Sequence, residues 1–329
     1  MKRFYQAVQH FFTQPLPVET LGFFRIAIAA FALAQLLVLL PDWMRLFGPE
    51  GILPWQVSDA LNTKNTPTLS WVANIFSAAG ISSEVTVYIL TIIYALSLIS
   101  LMAGIYTRVA AVLSWICHMI LNSTGHMMAY GVETFTHIAL FYCMVLPTGA
   151  GFSIDKKRGK YKNVPGYLIT LSIRLIQLHL AIMYCASGIE KALGTQWWNG
   201  EAIWMSLQQD QFHQFNTSWL AQVPIIPELL GWITLAGEIL FPIGIYWRHT
   251  KKIWLIAIIG MHFFILVFLG LHLFGSLMIL LNISIWGHHC FPRLFKKAFE
   301  KKSRKLFTTL VTVSTMPNDS SNAQEQILK

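Results

Sequence analysis

Apolar residues run along this chain in blocks of membrane-spanning character, at 20–40, 85–104, 108–122, 132–147, 166–188, 229–247, 252–269 and 272–287. A spanning helix needs about 20 apolar residues to cross a hydrocarbon core of about 30 Å, so several blocks are short. The last two are parted only by Gly270 and Leu271 before His272. Block lengths alone therefore allow seven or eight spans.

The polar positions inside the blocks have a pattern of their own. In RLIQLHLAIMYCASGIEKALGTQWWNG (174–200), the residues Arg174, Gln177, Ala181, Tyr184, Gly188 and Lys191 recur at steps of three and four. That is one stripe of a helix. At 1.5 Å per residue the stripe is about 25 Å long, so its charged ends lie near opposite faces of a membrane. A charged residue in a spanning helix costs a few kcal/mol, and it normally faces a protein interior or a wet cavity. Snorkelling of Lys191 to the interface is the plainer alternative. Glu238 lies inside the sixth block, in LAGEILFP (235–242). An intramembrane carboxylate has to be neutral or paired, and Arg174 and Arg25 are the partners the sequence offers.

Composition agrees with a membrane protein. Only 12% of the 329 residues are charged, 55% are hydrophobic, and the mean hydropathy is +0.53. Soluble domains carry about 25% charged residues. The distribution of charge then decides the span count. With eight spans, one side holds Lys2 and Arg3, Arg108, the 156–162 cluster, Arg248, Lys251 and Lys252, and the basic tail, together 19 of the 24 Lys and Arg. The other side holds Arg45, Lys64 and Lys191, and Arg25 and Arg174 fall within spans. Basic loops stay cytoplasmic. The expectation is an all-α polytopic membrane helical bundle of about 8 transmembrane helices with both termini cytoplasmic, in the plasma (inner) membrane if bacterial. Its parts are a cytoplasmic segment 1–19, a transmembrane domain 20–288 and a tail 289–329. Residues 1–19 lack the apolar core and cleavage site of a signal peptide. The tail opens as a basic amphipathic stretch, FPRLFKKAFEKKSRKLF (291–307), suited to an anionic leaflet, and becomes polar and disordered beyond 315. The long outer loops, 41–84 and 189–228, carry an ordered turn in FGPEGILPW (47–55) and interfacial Trp197, Trp198, Trp204 and Trp219.

Several chemistries drop out. Cys117, Cys143, Cys185 and Cys290 are scattered without paired spacing, and no HxxxH or HExxH pattern shares a helix face, so no metal is expected. There is no GxSxG, no phosphate-cradling Gly loop and no nucleic-acid signature beyond a membrane-type basic tail. His137 and His179 are expected to pack or to hydrogen-bond between helices. What remains is a lysine beside an apolar helix. Partial desolvation there favours a neutral amine, which can act as a general base. Glu190 opposes this only if its side chain, about 100° around the helix, comes close.

Read together, these stretches resemble a known family. FGPEGILPW after a first span carrying Arg25, SGIEKALGTQWWNG (187–200) and AGEILFP (236–242) are similar to the HTTM superfamily, which includes vitamin K-dependent gamma-carboxylase. The carboxylase pattern of a small residue, Gly, an aliphatic, a variable residue and Lys, then Trp and Gly, is matched by Ser187, Gly188, Ile189, Glu190 and Lys191, then Trp198 and Gly200. Its His-x3-Tyr-Gly signature is matched by His126, Tyr130 and Gly131 behind Asn122. Tyr106 and Arg108 match a Tyr-x-Arg turn before the third span, and His262 matches a His of the penultimate membrane segment. The likeness covers about residues 15–290.

That resemblance implies that Lys191 is the base that deprotonates reduced vitamin K or menaquinol. The oxygenated quinol then yields a strong base and the epoxide, and the base abstracts a glutamate gamma-proton so that the carbanion captures carbon dioxide. His126 and His262 would assist, with Arg174, Glu238, Tyr130 and Trp198 holding the quinol. Glu190 stands where the carboxylase has a second Lys, and these residues hold no counterpart of its large domain for protein substrates. Quinol-linked chemistry is the part expected to carry over. The sequence supports two further readings. One is an accessory protein for maturation, export or immunity of a secreted peptide, as proposed for another HTTM branch. The other is a transporter, since intramembrane Arg and Glu also mark transport paths.

Overall fold

The computed structural model describes residues 2–63, 66–212 and 214–292, and every regular element among them is a helix. The N-terminal half holds α1 (Lys2–Thr13), α2 (Glu19–Leu39), α3 (Trp43–Phe47), α4 (Trp55–Leu61), α5 (Leu69–Ser77), α6 (Ser83–Ala103), α7 (Thr107–Thr124) and α8 (Gly131–Val145). Next come α9 (Ile154–Lys157), α10 (Gly166–Ala192), α11 (Thr195–Trp198) and α12 (Glu201–Gln208). The chain then forms α13 (Ile225–Ile239), α14 (Phe241–Tyr246), α15 (Lys251–Phe268) and α16 (His272–Cys290). Contacts divide the chain into Met1–Trp286 and Gly287–Lys329, and the first unit is the one described below. The amphipathic and disordered tail expected from the sequence lies almost wholly outside the described residues.

Among the described residues, five helices are long and apolar enough to cross a membrane: Glu19–Phe47, Ser83–Ala103, Gly166–Ala192, Lys251–Phe268 and His272–Cys290. The other three apolar blocks are helical too, as α7, α8 and the pair α13 and α14. The distribution of side chains is that of a protein in lipid. Ile92 and Leu96 of α6, Ile182 of α10, and Ile253, Ile256 and Phe263 of α15 are each about 60% exposed. The interior, by contrast, takes in Arg25, Gln177, Arg174, His262 and Asn282, none more than 3% exposed. Apolar outside and polar inside is stable only where the surroundings are themselves apolar.

Two groups of helices build the bundle. One packs α2, α6, α7 and α8, the other α10, α13, α14 and α15, and α10 also touches α2. Local chemistry sets the ends. The Ser82 hydroxyl accepts the Val85 N–H at the start of α6, and Gly104, with φ +70°, ends the helix in the left-handed conformation. Arg25, fully buried in α2, donates to the carbonyls of Leu101 and Met102 in the last turn of α6, and to Thr148, Gly151 and Phe152. A cation there satisfies carbonyls that the helix leaves unpaired. Arg25 is thus a structural clamp, and the pairing with Glu238 that the sequence left open is not its role.

Asp155 does the converse for α7, accepting the Thr107 N–H at 2.7 Å and its hydroxyl at 2.9 Å, with Lys160 at 3.1 Å. Burial alone would raise the Asp155 carboxyl. The Thr107 hydrogen bonds and the Lys160 ammonium outweigh it and hold the carboxyl below its usual range.

Candidate functional site

Every member of the polar stripe on α10 from Arg174 to Gly188 is buried, and its two ends engage different neighbours. At one end, the Arg174 guanidinium donates to the Phe11 carbonyl at 3.1 Å and to Gln177 Oε1 at 2.8 Å, and stacks over the Phe11 ring. Gln177 in turn donates to the Ile285 carbonyl at 3.2 Å. Arg174 therefore ties α1 to α10, and Gln177, held by Arg174, ties α16 to it.

At the other end, Gly188 lets α10 approach α13. A Cβ there would lie 2.8 Å from the Ile239 backbone nitrogen and 2.9 Å from Glu238 Cβ. α13 stops at Ile239 because Pro242, in the first turn of α14, has no N–H to continue the helix. The carbonyl of Gly237 near the break accepts the Trp254 indole at 3.1 Å. Close approach and helix break together put Glu238 opposite Lys191. The Lys191 ammonium lies 2.8 Å from Glu238 Oε2, donates to Ser187 Oγ at 2.5 Å, and sits 5.5 Å from the centre of the Trp197 ring. Their side chains are 24% and 6% exposed, so the pair is largely removed from water. Glu238's partner is thus Lys191, and not Arg174 or Arg25.

This pair lines a cavity of about 580 Å³ between α10, α13, α15 and α16, roofed by Ile203, Ser206 and Leu207 of α12. Its walls are mostly apolar, among them Leu180, Met183, Phe135, Phe264 and Phe274. A second polar group lines the same cavity. Tyr184 Oη is 2.8 Å from His262 Nε2 and accepts from Asn282 Nδ2 at 2.6 Å. Which of the two donates follows the imidazole tautomer: Tyr184 donating to Nε2 puts the ring proton on Nδ1. That Nδ1 is buried and has no hydrogen-bond partner among the described residues.

Of the residues singled out in the sequence, Lys191, Glu238 and His262 line one cavity, and Arg174, His126, Tyr130 and Trp198 do not. Trp198 fastens the loop: its indole donates to the Ala192 carbonyl at 2.9 Å, and its carbonyl accepts the Trp232 indole at 2.8 Å. The neighbouring Trp197 is the one that faces the cavity. Tyr130 lines a separate cavity of about 290 Å³ between α2, α7 and α8, and His126, in a short 3-10 turn, lines neither.

Sequence reasoning missed Ser187 as a partner of Lys191, and missed the Asn282–Tyr184–His262 chain. A signal for each was present: Ser187 lies four residues before Lys191, one turn along the helix, and Asn282 is a polar side chain inside an apolar span. His179 does bond between helices as expected, through Nδ1 to Tyr142 Oη at 2.5 Å. No known protein family, curated protein or solved structure matches this chain.

Proposed function

We propose that the protein is an eight-span integral membrane enzyme with cytoplasmic termini, similar to the HTTM superfamily, which uses a reduced quinone in the Lys191 cavity for oxidoreductase or carboxylase-like chemistry. The observation that carries this reading is a lysine–carboxylate pair set into the wall of a large apolar cavity. Small-molecule sites commonly measure 300–1,000 Å³ and combine apolar walls with a few converging polar groups. The 580 Å³ cavity, with Lys191, Ser187 and Glu238 as one polar cluster and Tyr184 with His262 as another, has that character, which supports the reading.

Reduced vitamin K or menaquinol bound there would supply two electrons and an acidic hydroxyl. Lys191 Nζ and Glu238 Oε2 lie 2.8 Å apart, so a proton leaving the bound hydroxyl would meet both groups and not a lone amine. One proton taken up by the pair leaves it with net positive charge, anchored by Ser187, to face an anionic oxygen. The apolar walls exclude water and strengthen that attraction.

The test is mass spectrometric. Full-length protein in lipid nanodiscs is incubated with reduced vitamin K or menaquinol, oxygen and bicarbonate, and the product is searched for quinone epoxide. Wild type should form epoxide, and Lys191→Met, folded by circular dichroism, should lose about 10²–10⁴-fold, the usual contribution of a positioned acid–base group. A folded wild type that neither binds quinol nor forms epoxide would sink the proposal and move the case to the accessory reading, with a secreted peptide as the partner to find.

A further inference from the structure

The cavity that holds Lys191 is bounded on one side by α15, the least enclosed of the five long spans, in which only Leu255, Ile258 and His262 are buried. The opposite face of α15 turns Ile253, Ile256 and Phe263 outward. Residues at steps of three and four share a helix face, so Gly260 belongs to that outward row, between Ile256 and Phe263. Gly260 is exposed as they are, and yet it also lines the cavity. Both can hold only where the cavity reaches the outer surface of the helix. A Cβ at this position would meet no heavy atom within 4 Å, so nothing fills the gap from inside.

α13 supplies the other edge. Its Ile233 is 64% exposed and lines the same cavity, as does the exposed Ala257, one turn before Gly260 on α15. The two helices do meet at one level, where the Trp254 indole donates to the Gly237 carbonyl at 3.1 Å. Gly260 lies six residues further along α15, about 9 Å at 1.5 Å per residue, and there the helices leave a slot. Its edges, Ile233, Ala257 and Gly260, are all apolar, which favours a hydrocarbon chain over a hydrated solute. Gly260 also stands at the middle of a membrane-crossing helix, at the level of hydrocarbon and not of head groups.

We propose that the Lys191 cavity opens sideways over Gly260 into the hydrocarbon of the membrane and holds a linear hydrocarbon chain in that opening, so that its ligand is an amphiphile drawn from the bilayer. Gly260 is then the position that sets access, because a larger side chain there fills the slot from its lipid end. The proposal deepens the quinol reading and rests on it for the head group alone. The head group would meet Lys191 and Glu238 while the chain lies between α13 and α15.

The probe is hexadecane carrying a mid-chain diazirine, which has no head group, dissolved at trace level in nanodiscs with the full chain and activated by light. Labelled residues are read by mass spectrometry. Leu180 and Met278, 5% and 3% exposed, line the cavity and are otherwise buried, so probe that passes the slot should label them. Gly260→Trp should reduce that labelling at least 10-fold while Phe263, on the outer face, labels as before. Ile256→Trp, one turn away on the outward row and off the cavity lining, should leave it unchanged. Long-tailed menaquinol should displace the probe from Leu180 and Met278. Slot-dependent labelling that menaquinol does not displace would count against the quinol head group and uphold the opening. No labelling of Leu180 or Met278 in wild type, or equal labelling in folded Gly260→Trp, overturns the proposal. If Gly260→Trp does not fold, equal labelling in Ala257→Phe overturns it.

Discussion

Lys191 and Glu238 should be energetically coupled, and the size of the coupling can be worked from their geometry. At 2.8 Å and an effective dielectric of about 20, the Coulomb attraction is about 6 kcal/mol. Half or more of that is offset by removing two ions from water, which leaves a net coupling of roughly 2–3 kcal/mol. With Lys191 24% exposed and Glu238 6%, screening by solvent is minor. Lys191→Met strands a buried carboxylate and Glu238→Leu strands an ammonium, so each single change should cost about 2–4 kcal/mol. The double variant removes both charges and should cost less than the sum of the singles by the coupling energy. The assay is a double-mutant cycle by SDS-titrated unfolding in mixed micelles at neutral pH. A coupling below about 0.5 kcal/mol, the level of an exposed surface pair, would refute the reasoning.

Three further outcomes follow from the same structure. Gly188→Ala should push α13 away from α10, since the new Cβ would meet Ile239 and Glu238 within 3 Å, and should cost about 1–3 kcal/mol of stability together with most of any epoxide formation. Arg25→Leu removes a buried guanidinium that serves five carbonyls, so it should be among the most damaging single changes, at about 4 kcal/mol or more, read as loss of folded protein in detergent. Asp155 has a folded-state carboxyl below its ordinary range, so its contribution is complete above the unfolded value of about 4 and is lost as pH falls through the folded value. A melting profile between pH 6 and pH 3 should therefore fall more steeply for wild type than for Asp155→Asn, and parallel profiles would count against the capping role.

How much of this was legible beforehand differs from residue to residue. The eight apolar blocks all fold as helices, because long apolar runs can satisfy their backbone in lipid only within a helix. The stripe from Arg174 to Lys191 was legible as well, since a period of 3.6 puts those residues on one face whatever packs against it. Lys191, Glu238 and His262 could be picked out singly, because an ionisable group in an apolar run needs a reason to be there. Their assembly could not. Arg25 and Arg174 were the partners the sequence offered Glu238, and Lys191 was not among them, for charge type carries no information about which helices meet.

The sequence by itself determined the helical class, the polar-inside pattern and which side chains are too costly to leave unpartnered in an apolar setting. All of these follow from local periodicity and transfer energy. Tertiary structure alone decided who partners whom. Gly188 and the break at Pro242 bring α13 onto α10 at the level of Lys191, and Arg25 is spent on helix ends. His126 and Tyr130, expected beside the lysine, lie apart from its cavity, with Tyr130 and Glu133 on a cavity of their own. The physical reason is one of range. Helix formation is set by neighbours within a turn, whereas an ion pair between residues 47 positions apart depends on close contacts between helices that no local pattern records.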